Sequence, residues 1–431
     1  MLSVLKNFNS SFLCFIATTT LSSITLNCIR FGISWLVMEQ TASITAFVSI
    51  FSISSLIEFY GKPLLAPIAD YFDRLTVYKV CIALAAVCVG ALIFIVMYIK
   101  FSIYLLMGPL LLLSAIAALR DPASAGLVPV LVDSEYLIKA QSLRSSIGSV
   151  ISLGAPMFSA LLLSMGGSKI ALITAGIASV VSLFFTLGIR QIQEEIIVPK
   201  SWGEYVKTWH FRTINGLRAV FMTRSERVTA IVVAITNAGL FPFFFVVLPL
   251  WVKHSMAGTA YTMAVIEVSF GVGILIGSLG FTIQINKLFG RFYSLVIGNG
   301  TLGITLLLAS MSSNLIVLCF CFILGGIGFT TFNINASALR AAATPPAFRA
   351  RMAAGVAFLS SFLNPFATQG MGFIIEHSST DIGVSICGLL IILSTIFLLS
   401  NRDAKSLLTR SDKDLSGAYS SLYPSAFIER G

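Results

Sequence analysis

Charge is what this sequence has least of. Asp, Glu, Lys and Arg make up 11% of its 431 residues, where a soluble domain carries about 25%. Apolar residues make up 57%. A globule's interior grows too slowly with chain length to hide so much apolar surface, whereas a bilayer solvates apolar side chains on a protein's outside as well. The composition therefore excludes an aqueous globular domain and makes lipid the solvent. Paired loop cysteines are also missing. All seven Cys residues lie inside apolar runs, which argues against a disulfide framework. Cys319 and Cys321 point in different directions on a helix and do not read as a zinc pair. No Walker loop, nucleophile elbow or zincin motif occurs. An enzyme is not expected, nor a metal or cofactor, and energy has to come from an ion gradient. A cleavable leader is not expected either, because the first apolar run is too long and lacks a small-residue cleavage site.

What is present is a succession of long apolar runs. A helix crosses the ~30 Å hydrocarbon core with about 20 residues. Twelve runs of this kind are legible: 10–37, 43–65, 76–98, 102–120, 138–164, 168–189, 226–251, 259–284, 291–311, 314–339, 352–375 and 381–400. Open sheet edges do not survive in lipid, and barrel strands would alternate polar and apolar residues. The expected fold class is an all-α membrane protein with twelve transmembrane helices in two six-helix halves.

The basic residues support that count. Of the 28 Lys and Arg residues, Lys100, Lys169 and Lys253 fall in loops on one side, and Arg30 and Lys62 fall within helices. The other 23 fall on the opposite side. The positive-inside rule makes that side cytoplasmic, with both termini inside. The net charge of +10 is thus a topology signal, and no nucleic-acid partner is expected. The basic loop around 190–225 interleaves Trp202, Tyr205, Trp209 and Phe211 with its charges. It reads as an amphipathic linker lying on anionic headgroups. The expected organisation is an N-terminal half at 1–189, a cytoplasmic linker at 190–225, a C-terminal half at 226–400 and a Ser-rich, disordered cytoplasmic tail at 401–431. Pro156 and Pro365 fall at matching places in helices 5 and 11, as internal duplication would produce.

Several stretches resemble a known family. "APIADYFDRLTVYK" at 66–79 resembles the signature loop between helices 2 and 3 of the major facilitator superfamily. Asp70 matches its acid and Arg74 one of its basic positions, while Ala66, Tyr71 and Asp73 depart from the pattern. "RDPASAGLVPVLVDSEYLIKAQSL" at 120–143 and "TPPAFRARM" at 344–352 are similar to loops of the branch that holds macrolide efflux pumps and the enterobactin exporter. The resemblance implies a major facilitator fold and a transporter of the bacterial inner membrane. It also implies that Asp70, Arg74 and Arg120 form a charge-paired gating latch. The export direction rests on the resemblance alone.

Ionisable residues inside spans are the sharpest functional candidates, because each costs at least ~2.5–3.5 kcal/mol at the bilayer centre. Arg30 and Glu267 fall at similar expected depth with opposite sign. The expectation is that they face a central cavity, where Arg30 binds an anionic group of the substrate or pairs with Glu267. Glu58 falls deeper, and there it suits proton exchange, a role Glu267 could share. For each, the competing reading is a charge that only locks helix packing. Lys62 is expected to snorkel to the headgroups. Asn27, Asn237, Asn333 and Gln369 are further substrate-binding candidates, joined more weakly by Asn335 and Asn364, and the Phe241–Phe245 run could form an aromatic wall. His210, His254 and His377 are read as loop residues without a role. The expected function is a proton-coupled exporter of a siderophore-like anionic metabolite, working by alternating access as a monomer in the lipid bilayer. The alternatives are a hydrophobic multidrug or macrolide pump, and an uptake permease.

Overall fold

The computed structural model describes residues 8–41, 43–132, 137–190, 201–345, 348–410, 412–415 and 417–428. Among these the regular structure is helical, with no strand. The chain divides into two compact units, residues 1–206 and 207–431.

Unit 1 holds α1 (Ser10–Thr41), α2 (Ile44–Tyr71), α3 (Arg74–Tyr98), α4 (Ile103–Leu131) and α5 (Leu137–Leu187). Short polar residues start these helices. The Ser43 side chain accepts from the Ala46 amide, and Asp73 accepts from the Thr76 amide at 2.7 Å, each satisfying a backbone donor that the first turn leaves unpaired. α5 is two helices in sequence. Gly166 and Gly167 break it, with Gly167 at φ 67, a conformation glycine adopts without a Cβ penalty. That break separates the expected fifth and sixth spans. The unit's interior is apolar, built on Ile29, Ile33, Leu92, Leu110 and Leu172. A ladder of hydroxyls joins α1 to the second half of α5, with Ser22 bonded to Ser182 at 3.1 Å and Ser182 donating to the Thr18 carbonyl at 3.4 Å.

Unit 2 begins within α6 (Trp202–Met222) and continues with α7 (Arg224–Pro242), which passes through a π-turn at Phe243–Val247 into α8 (Leu248–His254). α9 (Ala260–Ile276) passes through a second π-turn at Gly277–Phe281 into α10 (Thr282–Phe289). Then come α11 (Arg291–Ser310), α12 (Leu315–Ala343), α13 (Arg349–Ser361), α14 (Asn364–His377) and α15 (Thr380–Leu399). Gly290, at φ 77, turns the chain from α10 into α11. α9 and α12 run parallel in unusually close contact. A Cβ at Gly273 would meet the Ile323 carbonyl oxygen at 2.0 Å, and one at Gly326 the Phe270 carbonyl oxygen at 2.2 Å. Small residues permit such backbone approach in lipid.

Nine helical stretches among the described residues are long and apolar enough to cross a membrane. One of them, 261–310, holds both the eighth and the ninth expected spans. The fifth (138–164) and eleventh (352–375) are not among the nine. The eleventh is interrupted at Phe362–Leu363 into pieces of 13 and 14 residues, each shorter than the ~20 a crossing needs.

Two expectations about organisation change. The linker contains a regular helix, α6, which places His210 on a helix rather than in a loop, while 191–200 lie outside the described residues. The tail is not disordered where it is described. It forms α16 (Arg402–Leu408), α17 (Asp412–Leu415), α18 (Ala418–Leu422) and a 3-10 turn at Pro424–Phe427. Leu407, Leu408, Leu415 and Tyr419 are buried in the same apolar core as Val228, Leu339, Met352 and Val356. That burial supplies the energy its Ser-rich composition had suggested was lacking.

Candidate functional site

Unit 1 gathers its intramembrane charges into one alternating chain. Arg30 on α1 donates through Nη2 to Glu58 Oε2 on α2. Lys62, one turn further along α2, lies 3.1 Å from Glu58 Oε1 and 2.9 Å from Asp121 Oδ2 on α4. Arg120 Nη2 lies 2.9 Å from Asp121 Oδ1. Glu58 and Lys62 stand at i and i+4 with the acid first, the favourable order on a helix. Lys62 and Asp121 each stand 18 residues after the first residue of their helices. At 1.5 Å per residue this is a common depth of about 27 Å.

The expected pairing of Arg30 with Glu267 joins the two units; within unit 1 the chain of charges gives Arg30 a partner that the sequence reading did not assign, Glu58. α1 runs to Thr41, four residues past the expected span. Arg30 is therefore 11 residues from its end rather than seven, about 16 Å down, within reach of Glu58. Glu58 in turn is not the lone desolvated carboxylate that proton exchange was expected to use, since cations flank it on both sides. Lys62 does not snorkel. Its ammonium is drawn sideways into the chain by two carboxylates. Asp121 was not singled out from sequence, because the fourth span was read as ending at residue 120. α4 continues to Leu131, which carries Asp121 into the helix.

Of the expected latch, Arg74 donates to the Gly126 carbonyl on α4 at 3.3 Å, which ties α3 to α4. Arg120 stands 11 residues before the end of α4 and is 9% exposed, which removes it from the helix end where a latch was expected. The Asp70 side chain lies outside the described residues. Arg120 also borders a small cavity lined by Ser22, Thr25, Leu26, Ser179 and Ser182.

Two features mark the chain as more than packing. Arg30 Nε is buried and has no acceptor among the described residues, although a buried donor left unpaired is costly. The cations Arg30, Lys62 and Arg120 outnumber the anions Glu58 and Asp121. Arg144, which donates to Ser124 Oγ at 3.1 Å, adds to the positive side.

Unit 2 holds the other acid. Glu267 on α9 is 5% exposed, and neither of its oxygens has a hydrogen-bond partner among the described residues. Such a group is neutral, or waits for a proton or cation, since a lone buried charge is expensive. The candidate amides are mostly occupied. Asn27 donates to the Ser23 carbonyl and Asn333 to the Phe329 carbonyl, each at 2.9 Å and one turn back on its own helix. Asn237 donates to the Ser360 carbonyl at 3.0 Å, beside the break between α13 and α14. Gln369 is half-buried on α14. Asn335 exchanges two 3.0 Å bonds with Asn286. Asn364 is 3% exposed, with Oδ1 unbonded among the described residues. Phe243 is fully buried and stacks on Phe322, so the aromatic run is at least partly core. Among the described residues no group of three His, Cys, Asp or Glu side chains is placed to hold a metal.

Comparison with known proteins agrees with this architecture. The chain resembles the nucleoside transporter NupG at 15% identity and TM-score 0.62, covering 91% of this chain and 100% of that one. It resembles a POT family transporter solved with 5-aminolevulinic acid at 12% identity and TM-score 0.69, covering 91% and 96%. The POT family transporter PepTSo matches at 13% identity and TM-score 0.68, covering 92% and 98%. At such identities the likeness is one of fold. No curated protein matches the sequence. The profile of the Major Facilitator Superfamily matches residues 13–292, well over half of the chain. A helical chain with apolar spans, charges drawn together inside them and this profile match belongs to the Major Facilitator Superfamily of membrane transporters.

Proposed function

We propose that this transporter is a proton-coupled exporter of a small molecule bearing an anionic group, working by alternating access in a bacterial inner membrane with both termini cytoplasmic. The observation that carries the substrate class is Arg30. It gives one terminal nitrogen to Glu58 and keeps Nε buried without an acceptor among the described residues, within a chain of charges richer in cations than anions. A carboxylate is recognised best by two parallel N–H donors of one guanidinium. A substrate carboxylate would thus satisfy Nε and displace Glu58, which Lys62 retains. Glu267 is the group best suited to carry the coupling proton, because neither of its oxygens has a hydrogen-bond partner among the described residues. Export, and a siderophore-like metabolite as the cargo, follow from the branch that the loops at 66–79, 120–143 and 344–352 resemble.

A hydrophobic multidrug or macrolide pump is the second reading. The ring contacts of Phe244 with Phe270 and of Phe270 with Phe329, at 4.8 and 5.8 Å between centroids, favour it, since they place aromatic surface on α9 one turn from Glu267. An uptake permease is the third.

The deciding experiment is mass spectrometry of culture medium from a parent and a deletion strain under iron limitation. An iron-chelating anion that disappears from the deletion medium and accumulates in the cells is the expected result. Matching media would sink the anionic reading, and drug susceptibility of the two strains would then test the pump. Accumulation of substrate from the medium by intact parent cells would instead mean uptake.

A further inference from the structure

Three long helices of unit 2 are interrupted, and two of the breaks belong to helices that the tail touches. α7 stops at Pro242 and reaches α8 through the π-turn at Phe243–Val247, and α13 parts from α14 at Phe362–Leu363. Each is thereby divided into a segment on the tail's side and a segment beyond it. The tail engages the first kind of segment. Asn401 donates to the Ser225 carbonyl on α7 at 3.0 Å. The Gly417 amide donates to the Ala342 carbonyl on α12 at 3.0 Å. The Phe427 ring meets Phe348, just before α13, edge-on at 5.3 Å. None of these contacts reaches α8 or α14.

At the centre is a buried ion pair. Glu226 on α7 is fully buried, and Arg340 Nε on α12 donates to its Oε2 at 2.9 Å. The Tyr419 hydroxyl, from the tail, donates to Oε1 at 2.9 Å. A pair of charges taken out of water is stable only when its remaining lone pairs are also met by donors. Tyr419 meets this need, and its own burial beside the Glu226 carboxylate pushes its phenol well above the usual value, so it remains a donor across the physiological range. Tyr423, the residue after α18, donates to Asp403 on α16 at 2.6 Å, which ties the end of the tail back to its start. The tail is thus a closed loop with one hydroxyl inserted between two transmembrane helices.

We propose that residues 401–427 are a strap that fastens the adjoining ends of α7, α12 and α13 into one body, so that bending of the helices it holds is confined to these two breaks and to α8 and α14 beyond them. The strap acts on the protein whatever it carries. Its test is hydrogen exchange on the full chain in detergent, comparing wild type with Tyr419→Phe, which keeps the buried ring and removes only the hydroxyl. Exchange of amides in 224–236 and 349–360 is expected to rise about tenfold, as loss of a hydrogen bond to a charged group implies, with 248–254 and 364–377 unchanged. Glu226→Gln, which removes the charge but keeps the shape, is expected to give the same pattern. Three results would overturn the proposal: no change anywhere, an equal rise on both sides of the breaks, or a rise confined to 402–427.

Discussion

The two units handle polarity in lipid by opposite means. Unit 1 concentrates charge, with five ionised side chains from three helices alternating in sign, so that each charge is neighboured by its opposite. Unit 2 disperses polarity. Its helices are joined by neutral pairs such as Asn286 with Asn335, and by the Thr236, Asn299 and Ser394 cluster. The Glu226–Arg340 pair is pushed to one end under the tail, and Glu267 has no hydrogen-bond partner among the described residues. A network of paired charges is rigid and resists losing a member. A lone acid has nothing to lose on the protein and is free to exchange what it holds. Under the proposed function this difference would divide the labour, with recognition in unit 1 and coupling in unit 2.

Breaking unit 1's chain should have the largest effect. Glu58→Gln leaves Arg30 and Lys62 with one fewer charge between them and is expected to destabilise by ~3–5 kcal/mol, as removal of one partner from a buried pair does. Thermal unfolding in detergent measures it. Lowering the charge of Arg30 in the same chain should recover part of the loss, and additivity of the two variants would refute the pairing. Next comes the seam of unit 2. Gly326→Ala should cost ~1–3 kcal/mol by overpacking, since the new Cβ meets backbone at 2.2 Å with no flexible side chain to yield. A smaller loss, near ~0.6 kcal/mol, is expected for Asn335→Ala, the usual size of an interhelical hydrogen bond in a membrane. A value above that of Glu58→Gln would invert the comparison between the units. Smallest in stability is Glu267→Gln, expected within ~0.5 kcal/mol of wild type, because no hydrogen bond to a described residue is lost. The same variant should abolish transport driven by a proton gradient while sparing exchange of substrate for substrate. Retained gradient-driven transport would remove Glu267 from coupling.

Much of this was legible from sequence, and the failures have identifiable causes. Apolar length located the helices, since lipid leaves no other way to satisfy the backbone. Arg30, Glu58 and Glu267 stood out because charge in a span demands a reason. Their partners did not, because pairing depends on depth, and depth on helix ends. Four extra residues on α1 moved Arg30 from the level expected for Glu267 to within reach of Glu58, and eleven extra residues on α4 brought in Asp121. Helix boundaries are the least certain part of such a reading. The tail failed for another reason. Leu407, Leu415 and Tyr419 are too sparse to announce a core, and they are buried only because α7, α12 and α13 offer them an apolar surface that no local pattern reveals. The break at Phe362–Leu363 was likewise masked by Pro365, which reads as a kink but here opens a new helix at its first turn.

The glycine contact between α9 and α12 has a mechanical consequence. With no room for a Cβ at Gly273 or Gly326, neither helix can turn about its own axis without driving a side chain into the other's backbone. The pair behaves as one strut of double width, and Glu267 rides on it at a fixed station. Whatever changes around that carboxyl during a transport cycle has to come to it, as a ship's lock brings the water level to a stationary boat.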